Sequence, residues 1–361
     1  MTVIHRYVPC IRWKQGEYQA LLKLPPDVRE GMMPLIEVAE EGYDFETRTA
    51  PKSIDQHLHA FAKRVGEKWG RRPCFVDTRL IDPSARMANG SHPIDFVFDG
   101  LRLNRVPAIP TLSLEQDTHA EQALARAVIA DGNGICVRIS LEELADQALR
   151  TRLERVLLLA KAGPAICDLV IDLGAPNFQP LDGLTRLLGS LIEKVPHLNE
   201  WRSVALIGTA FPSSMAEVSL GLSEVERSEW VMYRALVPLL EGRGIRVPDF
   251  GDYVVSHPAV VHLDMRVVKP AASLRYTTRD GWLIAKGKNV RDHKFEQYRA
   301  LCGAVVNSGE FAGPELSYGD TYIESCALGT ASTGSLTTWR TMGTSHHISQ
   351  VVKDVANLPY A

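Results

Sequence analysis

The residues of this chain best placed to do chemistry are charges that close otherwise apolar runs. Glu37 stands near the end of Met33-Pro34-Leu35-Ile36-Glu37-Val38, and Asp77 ends Cys74-Phe75-Val76-Asp77 with Arg79 two positions on. Arg138 stands in Ile135-Cys136-Val137-Arg138-Ile139 beside Ser140, and Asp172 follows Leu169-Val170-Ile171. Thr111, Thr209 with Ser213, Asp252, and Arg275 with Tyr276 occupy comparable places. Buried charges persist only when paired or when they bind something. Two readings are therefore open: a salt-bridge network that plugs the interior, or a ligand site. As a site, Glu37, Asp77 and Asp172 supply oxygens that suit a hard divalent cation such as Mg²⁺. The arginines would clamp an anionic group through paired hydrogen bonds. Without a metal, one carboxylate serves as general base and another as general acid. Catalytic roles fall to Glu37, Asp77 and Asp172. Substrate contacts fall to Arg79, Arg138, Thr209, Ser213, Asp252, Arg275 and Tyr276.

Other groups are weaker candidates. Gly208-Thr209-Ala210-Phe211-Pro212-Ser213-Ser214 offers hydroxyls and free backbone N–H groups to an anion, or is simply a tight turn. It lacks the lysine of a P-loop. His346 and His347 are adjacent; on a strand they would face opposite ways and could not easily share a metal, which leaves one of them open to a catalytic or ligand-binding role. Asp320, Arg340 and His346 join the substrate contacts on the expectation that residues 307–350 fold back over the site. That segment is polar and glycine-rich, yet its Tyr318, Tyr322, Ile323 and Trp339 need a surface to bury against. Arg275-Tyr276 and Trp339-Arg340 pair a cation with an aromatic ring, as single-strand nucleic-acid binders do.

The elements that must position these residues follow a beat. Apolar, β-branched runs recur about every 30–45 residues, at Met33–Val38, Cys74–Asp77, Val106–Thr111, Ile135–Ile139, Leu169–Leu173, Val204–Gly208, Tyr253–Val255 and Leu274–Tyr276. Helical stretches separate most of them, over 53–69, 115–131, 141–162, 181–195 and 223–242. Ser53 is a candidate N-cap, and Ser140 with Glu143 and Ser223 with Glu226 fit capping boxes. Continuous apolar strands alternating with helices mean a parallel sheet covered on both faces. Eight units suit a closed (β/α)8, TIM-like barrel whose chemistry lies at the C-terminal strand ends. Tyr7–Ile11 would make a ninth strand and is read as a lead-in, with Met33 opening strand one. The chain then divides into a barrel with its lead-in over 1–290 and a C-terminal extension over 291–361. Leu274–Thr277 and Gly281–Gly287 flank a turn at Arg279-Asp280-Gly281 and suit a hairpin.

Composition narrows the class. The 361 residues are 45% hydrophobic and carry a net charge of −3, so no global basic field draws nucleic acid, which leaves a local basic cleft open. The six cysteines lack metal-ligand spacing and read as free thiols of a reducing cytoplasm. Met1–Arg6 has no apolar signal core, and no run approaches the roughly 18 residues of a membrane span. A cytoplasmic protein without a membrane partner is expected.

Tyr7-Val8-Pro9, Trp13-Lys14-Gln15-Gly16-Glu17-Tyr18, Pro34-Leu35-Ile36-Glu37, Gly251-Asp252-Tyr253, Ser317-Tyr318-Gly319-Asp320 and Trp339-Arg340 with His346-His347-Ile348 together resemble the protein beta family, called after a T4-type phage protein. The resemblance spans nearly the whole chain. It implies a phage or mobile-element setting and a C-terminal extension that belongs with the barrel, but no particular reaction. The expected function is a phosphoric-ester hydrolase acting on a nucleotide or nucleic-acid end. The alternative is a noncatalytic binding protein for an anionic ligand, or for a partner protein in phage–host conflict.

Overall fold

The computed structural model describes residues 7–41, 53–259 and 269–358. Met1–Arg6 lies outside them. Eight parallel strands close into a barrel: β1 (Val8–Arg12), β2 (Leu35–Glu37), β3 (Cys74–Asp77), β4 (Ala108–Leu112), β5 (Cys136–Ser140), β6 (Asp168–Asp172), β7 (Ser203–Ile207) and β9 (Asp249–Asp252). β9 pairs with β7 on one side and with β1 on the other, completing the ring. β8 (Gly221–Glu226) leaves the ring after β7. It joins β10 (Ala271–Thr277) and β11 (Gly281–Asn289) in an antiparallel sheet of order β10-β11-β8.

Inside the barrel, Val8, Cys10, Leu35, Phe75, Cys136 and Val170 form one buried cluster. Their outward neighbours Ile11, Ile36, Val76, Val137 and Ile171 pack beneath the helices. Both strand faces are covered, which is why the runs read as continuous rather than alternating. All six cysteines are free and buried. Among the described residues no helix is long and apolar enough to cross a membrane.

The barrel begins earlier and ends earlier than the beat suggests. Tyr7–Ile11 is not a lead-in: Val8–Arg12 is a wall strand between β2 and β9. The eighth wall strand is Asp249-Phe250-Gly251-Asp252, immediately before the apolar run Tyr253–Val255. Gly251 hides it, because glycine in a short run reads as a turn. The reason for the glycine is closure: a Cβ there would stand 2.6 Å from the Val8 carbonyl oxygen. Leu274–Tyr276 belongs to β10, which forms the expected hairpin with β11 but outside the ring. Ser53 and Ser140 cap helices as expected, Ser140 in a complete capping box. Ser223 does not; it lies within β8, and the helix begins at Ser228.

The extension also differs from its sequence reading. Residues 307–345 are not irregular: Ser317 caps a helix over Tyr318–Ala327 and Ser335 caps another over Leu336–Ala356. Gly319 marks helix contact, since a Cβ would meet the Met342 carbonyl oxygen at 2.3 Å. The extension has a buried core, in which Tyr298, Cys302, Ile323 and Trp339 pack with Leu274, Tyr276 and Leu283 of the hairpin. The hairpin thus packs with the extension. The last helix runs down the outside of the barrel. Arg340 reaches Val255 and Ser256 just past the end of β9, while Val352 lies against Gly31 at the opposite end. It lies along the barrel's flank, with its first turns at the C-terminal strand ends and its last turns at the other end.

Candidate functional site

Closure brings the C-terminal strand ends together, and the side chains there are charged. Arg138 of β5 is the hub. Its Nη1 donates to Glu37 Oε1 at 3.0 Å and to Asp77 Oδ2 at 2.7 Å. Its Nε and Nη2 both donate to Asp172 Oδ2, at 3.0 and 2.7 Å. Nη2 also reaches the Tyr253 hydroxyl at 2.8 Å, and that hydroxyl lies 2.7–2.8 Å from both Asp172 oxygens. Arg79 covers the group from the loop after β3: its Nη2 donates to Glu37 Oε1 at 2.6 Å, and its Nη1 stands 3.6 Å from Asp172. Arg12 adds a third cation, 3.6 Å from Glu37 Oε2. The side chains of Arg138 and Glu37 are 2% and 1% exposed, against 31% for Arg79.

Burial opposes the charges on Glu37 and Asp172. For Glu37, Arg138, Arg79 and Arg12 outweigh it; for Asp172, Arg138 and the Tyr253 hydroxyl do. Both carboxyls are held below their usual range. Burial also raises the Tyr253 phenol well above its ordinary value. The network is matched in number, three carboxyl groups against three guanidiniums. Arg138 fills the position between the carboxylates where a divalent cation was expected. Among the described residues no group of His, Cys, Asp or Glu is arranged to hold a metal ion.

Four of the expected residues, Glu37, Asp77, Arg138 and Asp172, thus meet, with Arg79 beside them. The others lie elsewhere. Asp252 is buried beneath the last helix, where it accepts from the Tyr7 hydroxyl and pairs with His347 Nε2 at 2.8 Å. Tyr276, Asp320 and His346 do not approach the mouth. They form a closed network inside the extension: the Tyr276 hydroxyl donates to Asp320 Oδ1 at 2.8 Å, and His346 Nδ1 meets Asp320 Oδ2 at 2.9 Å. His346 Nε2 meets the Thr277 carbonyl at 2.8 Å. Both ring nitrogens face acceptors. These histidines sit on a helix, not a strand, and their helix faces the sheet. Thr209 accepts from the Phe211 N–H in a local turn, and Ser213 donates to Glu217 at 2.6 Å. Both line a cavity of about 370 Å³ beside the network.

Arg275 lies outside the Arg138 network, at the loop after β9. Its Nη1 donates to the Val255 carbonyl at 2.7 Å, and Arg340 Nη1 donates to the same oxygen at 2.9 Å. Arg12 and Tyr253 escaped the sequence reading as members of the network. Treating Tyr7–Ile11 as a strand would have put Arg12 at a strand end and found it. A buried pair was missed as well: Arg227 Nε stands 3.7 Å from Glu229, whose carboxyl burial raises to about 8 against the pull of Arg227.

The Beta protein family matches residues 7–353, nearly the whole chain. The chain belongs to this family. The family therefore takes in the barrel and the extension together, and its span includes the mouth network, the histidine network and the arginine pair. A comparison with curated proteins returns no match. Among solved structures, triosephosphate isomerase from Bartonella henselae is similar, with a TM-score of 0.33 and 11% identity over 68% of this chain and 91% of that one. That this family member is a barrel stands on its own closed strand order.

Proposed function

We propose that this protein is a noncatalytic binding protein for an anionic ligand, with the barrel as its scaffold. The position of Arg138 carries the reading. Its guanidinium stands among Glu37, Asp77 and Asp172, where a metal ion or a reacting group would have to be. A phosphoric-ester hydrolase working at this end needs a carboxylate free to take a proton or to ligate Mg²⁺. Each of the three is committed to Arg138, and Glu37 also to Arg79. Removing one partner from a buried pair costs about 3–5 kcal/mol, so the network resists opening. Open space at this end of the barrel lies beside the network, in cavities that share Ser213 and exclude all three carboxylates from their described lining. A binder of a small anion, a nucleic-acid end or a partner chain also suits the phage-linked setting that the family suggests.

The test is a turnover screen. The protein is incubated with aryl phosphate mono- and diesters and with nucleotides, with and without Mg²⁺, beside the Asp172→Asn variant. Release of phosphate no faster than in a protein-free control supports the reading. Turnover by the wild type that Asp172→Asn abolishes would replace it with the hydrolase.

A further inference from the structure

We infer that the ligand site is the cavity between the loop after β7, the β10–β11 sheet and the start of the last helix, and that its ligand is an organic phosphate the size of a nucleoside diphosphate. The inference rests on the binding reading above and names its site and ligand class. The cavity holds about 730 Å³. Four cations are among its described lining residues, Lys269, Arg275, Lys286 and Arg340, and no carboxylate is. The cavity at the opposite end of the barrel, about 500 Å³, offers a contrast. It has Asp168 and Asp249 beside Arg202 and Arg246, so its charges balance without a ligand.

Arg275 decides the matter. Among the described residues no carboxylate lies within ion-pair distance of it. Its guanidinium sits over the Phe211 ring at 5.1 Å and leans on one backbone carbonyl, which Arg340 shares. Like charges held this close repel, the more so away from water. Burial and the neighbouring Arg340 both push the Arg275 pKa well down. Lys286 is in a similar position, with its Nζ on the Val218 carbonyl at 2.6 Å and no described carboxylate in reach. Arg340 has Glu17 at 3.6 Å, and Lys269 has Asp292 at 3.3 Å. The excess positive charge therefore centres on Arg275 and Lys286. An anion entering between them would supply the missing partner, and guanidinium forks suit the oxygens of a phosphate.

Position and shape narrow the ligand. β7 and β9 are the seventh and eighth wall strands. The cavity takes Ser213 and Ser214 from the loop after the seventh. It is backed through Arg275 and Arg340 by Val255 of the loop after the eighth. Barrels frequently build phosphate sites from these two loops. The remaining lining includes Met215, Pro270 and Leu336, an apolar side that an inorganic ion would leave empty. The volume falls within the roughly 300–1,000 Å³ of small-molecule sites. A phosphate ester with an apolar or aromatic body satisfies both halves.

Isothermal titration of the full-length protein with ADP and with inorganic pyrophosphate tests the assignment. The wild type is expected to bind ADP more tightly than pyrophosphate, with affinity falling as salt is raised. Arg275→Gln and Lys286→Gln are each expected to weaken ADP about ten- to a hundredfold, the effect of losing a charge-assisted hydrogen bond. Arg150→Gln, an equal charge change on an outer helix, is expected to leave affinity unchanged. A folded Arg275→Gln protein with wild-type affinity overturns the site while leaving the noncatalytic reading intact. If Arg275→Gln does not fold, Lys286→Gln decides by the same criterion. Hydrolysis of ADP by the wild type overturns the noncatalytic reading, and the variants' affinities still locate the ligand. A wild type that binds neither probe at millimolar concentration overturns the ligand class.

Discussion

Two groups of charged side chains stand at one end of this barrel and are built on opposite plans. At the mouth, Arg12, Arg79 and Arg138 meet Glu37, Asp77 and Asp172 in a network that is largely buried and balanced. Beside it, Arg275 and Lys286 line an open cavity with no described carboxylate in reach. The difference separates two uses of buried charge. A complete ion-pair network satisfies its own groups and has little to offer a ligand. An incomplete one leaves its missing partner to be supplied from outside. The strand ends of a barrel are where function is first sought, yet here they are the self-sufficient region.

The largest expected effect breaks the balanced region. Arg138→Met leaves three carboxylates buried around an uncharged side chain and should cost about 3–5 kcal/mol, read by urea denaturation at pH 7. It should also change the acid limb. Glu37 and Asp172 have depressed folded pKa values, so their stabilisation is present above the unfolded values near 4.5 and 3.8. It is lost as pH falls through the folded ones. In Arg138→Met that loss should largely disappear between pH 5 and pH 3. An unchanged acid limb would mean the network does not hold those protons off.

A smaller effect is expected from Asp320→Asn, which turns the closed histidine network into an incomplete one. His346 and the Tyr276 hydroxyl would lose their carboxylate partner, at a cost of about 1.5–3 kcal/mol for a hydrogen bond to a charged group. Thermal unfolding at pH 6 and pH 8 reads it, and a variant as stable as wild type would make Asp320 dispensable.

Glu229 is the intermediate case, buried with Arg227 but incompletely matched. Its folded pKa, about 8, lies above the unfolded value of 4.5. The associated stability is full below 4.5 and fades as pH rises through about 8. Glu229→Gln retains an acceptor for the Ala210 N–H. Relative to wild type it should gain stability between pH 6 and pH 9; a constant difference across that range would show that Glu229 does not titrate there.

The smallest effect on stability belongs to Arg275→Gln, because the substitution removes a repelled charge rather than a paired one. A change within about 0.5 kcal/mol is expected, typical of substitutions that break no network. A loss above about 2 kcal/mol would mean that Arg275 has a structural partner and that the cavity's charge is not in excess.

Much of the mouth was legible in the sequence. Glu37, Asp77 and Asp172 end apolar runs and Arg138 lies within one, and ring closure carries all four to one place. Arg12 is legible only when Tyr7–Ile11 is counted as a wall strand, and Tyr253 reads as part of the eighth strand because Gly251 disguises the true one. The extension was harder. Gly319 marks close helix packing, but glycine in sequence signals a loop. His346 and His347 look like a strand pair until the Ser335 cap is recognised as the start of a long helix. Arg275 and Arg340 were each visible beside an aromatic residue, yet their meeting at Val255 depends on tertiary packing that no local pattern records.

The most direct test asks where the ligand lies. Hydrogen–deuterium exchange of the wild-type protein, with and without saturating ADP, reads protection along the whole chain without altering it. The expected result is intact ADP and added protection in peptides covering 213–216, 253–256, 271–286 and 336–340. Protection confined instead to peptides carrying Glu37, Asp77, Arg138 and Asp172 would place the ligand at the mouth and contradict the division between the two regions.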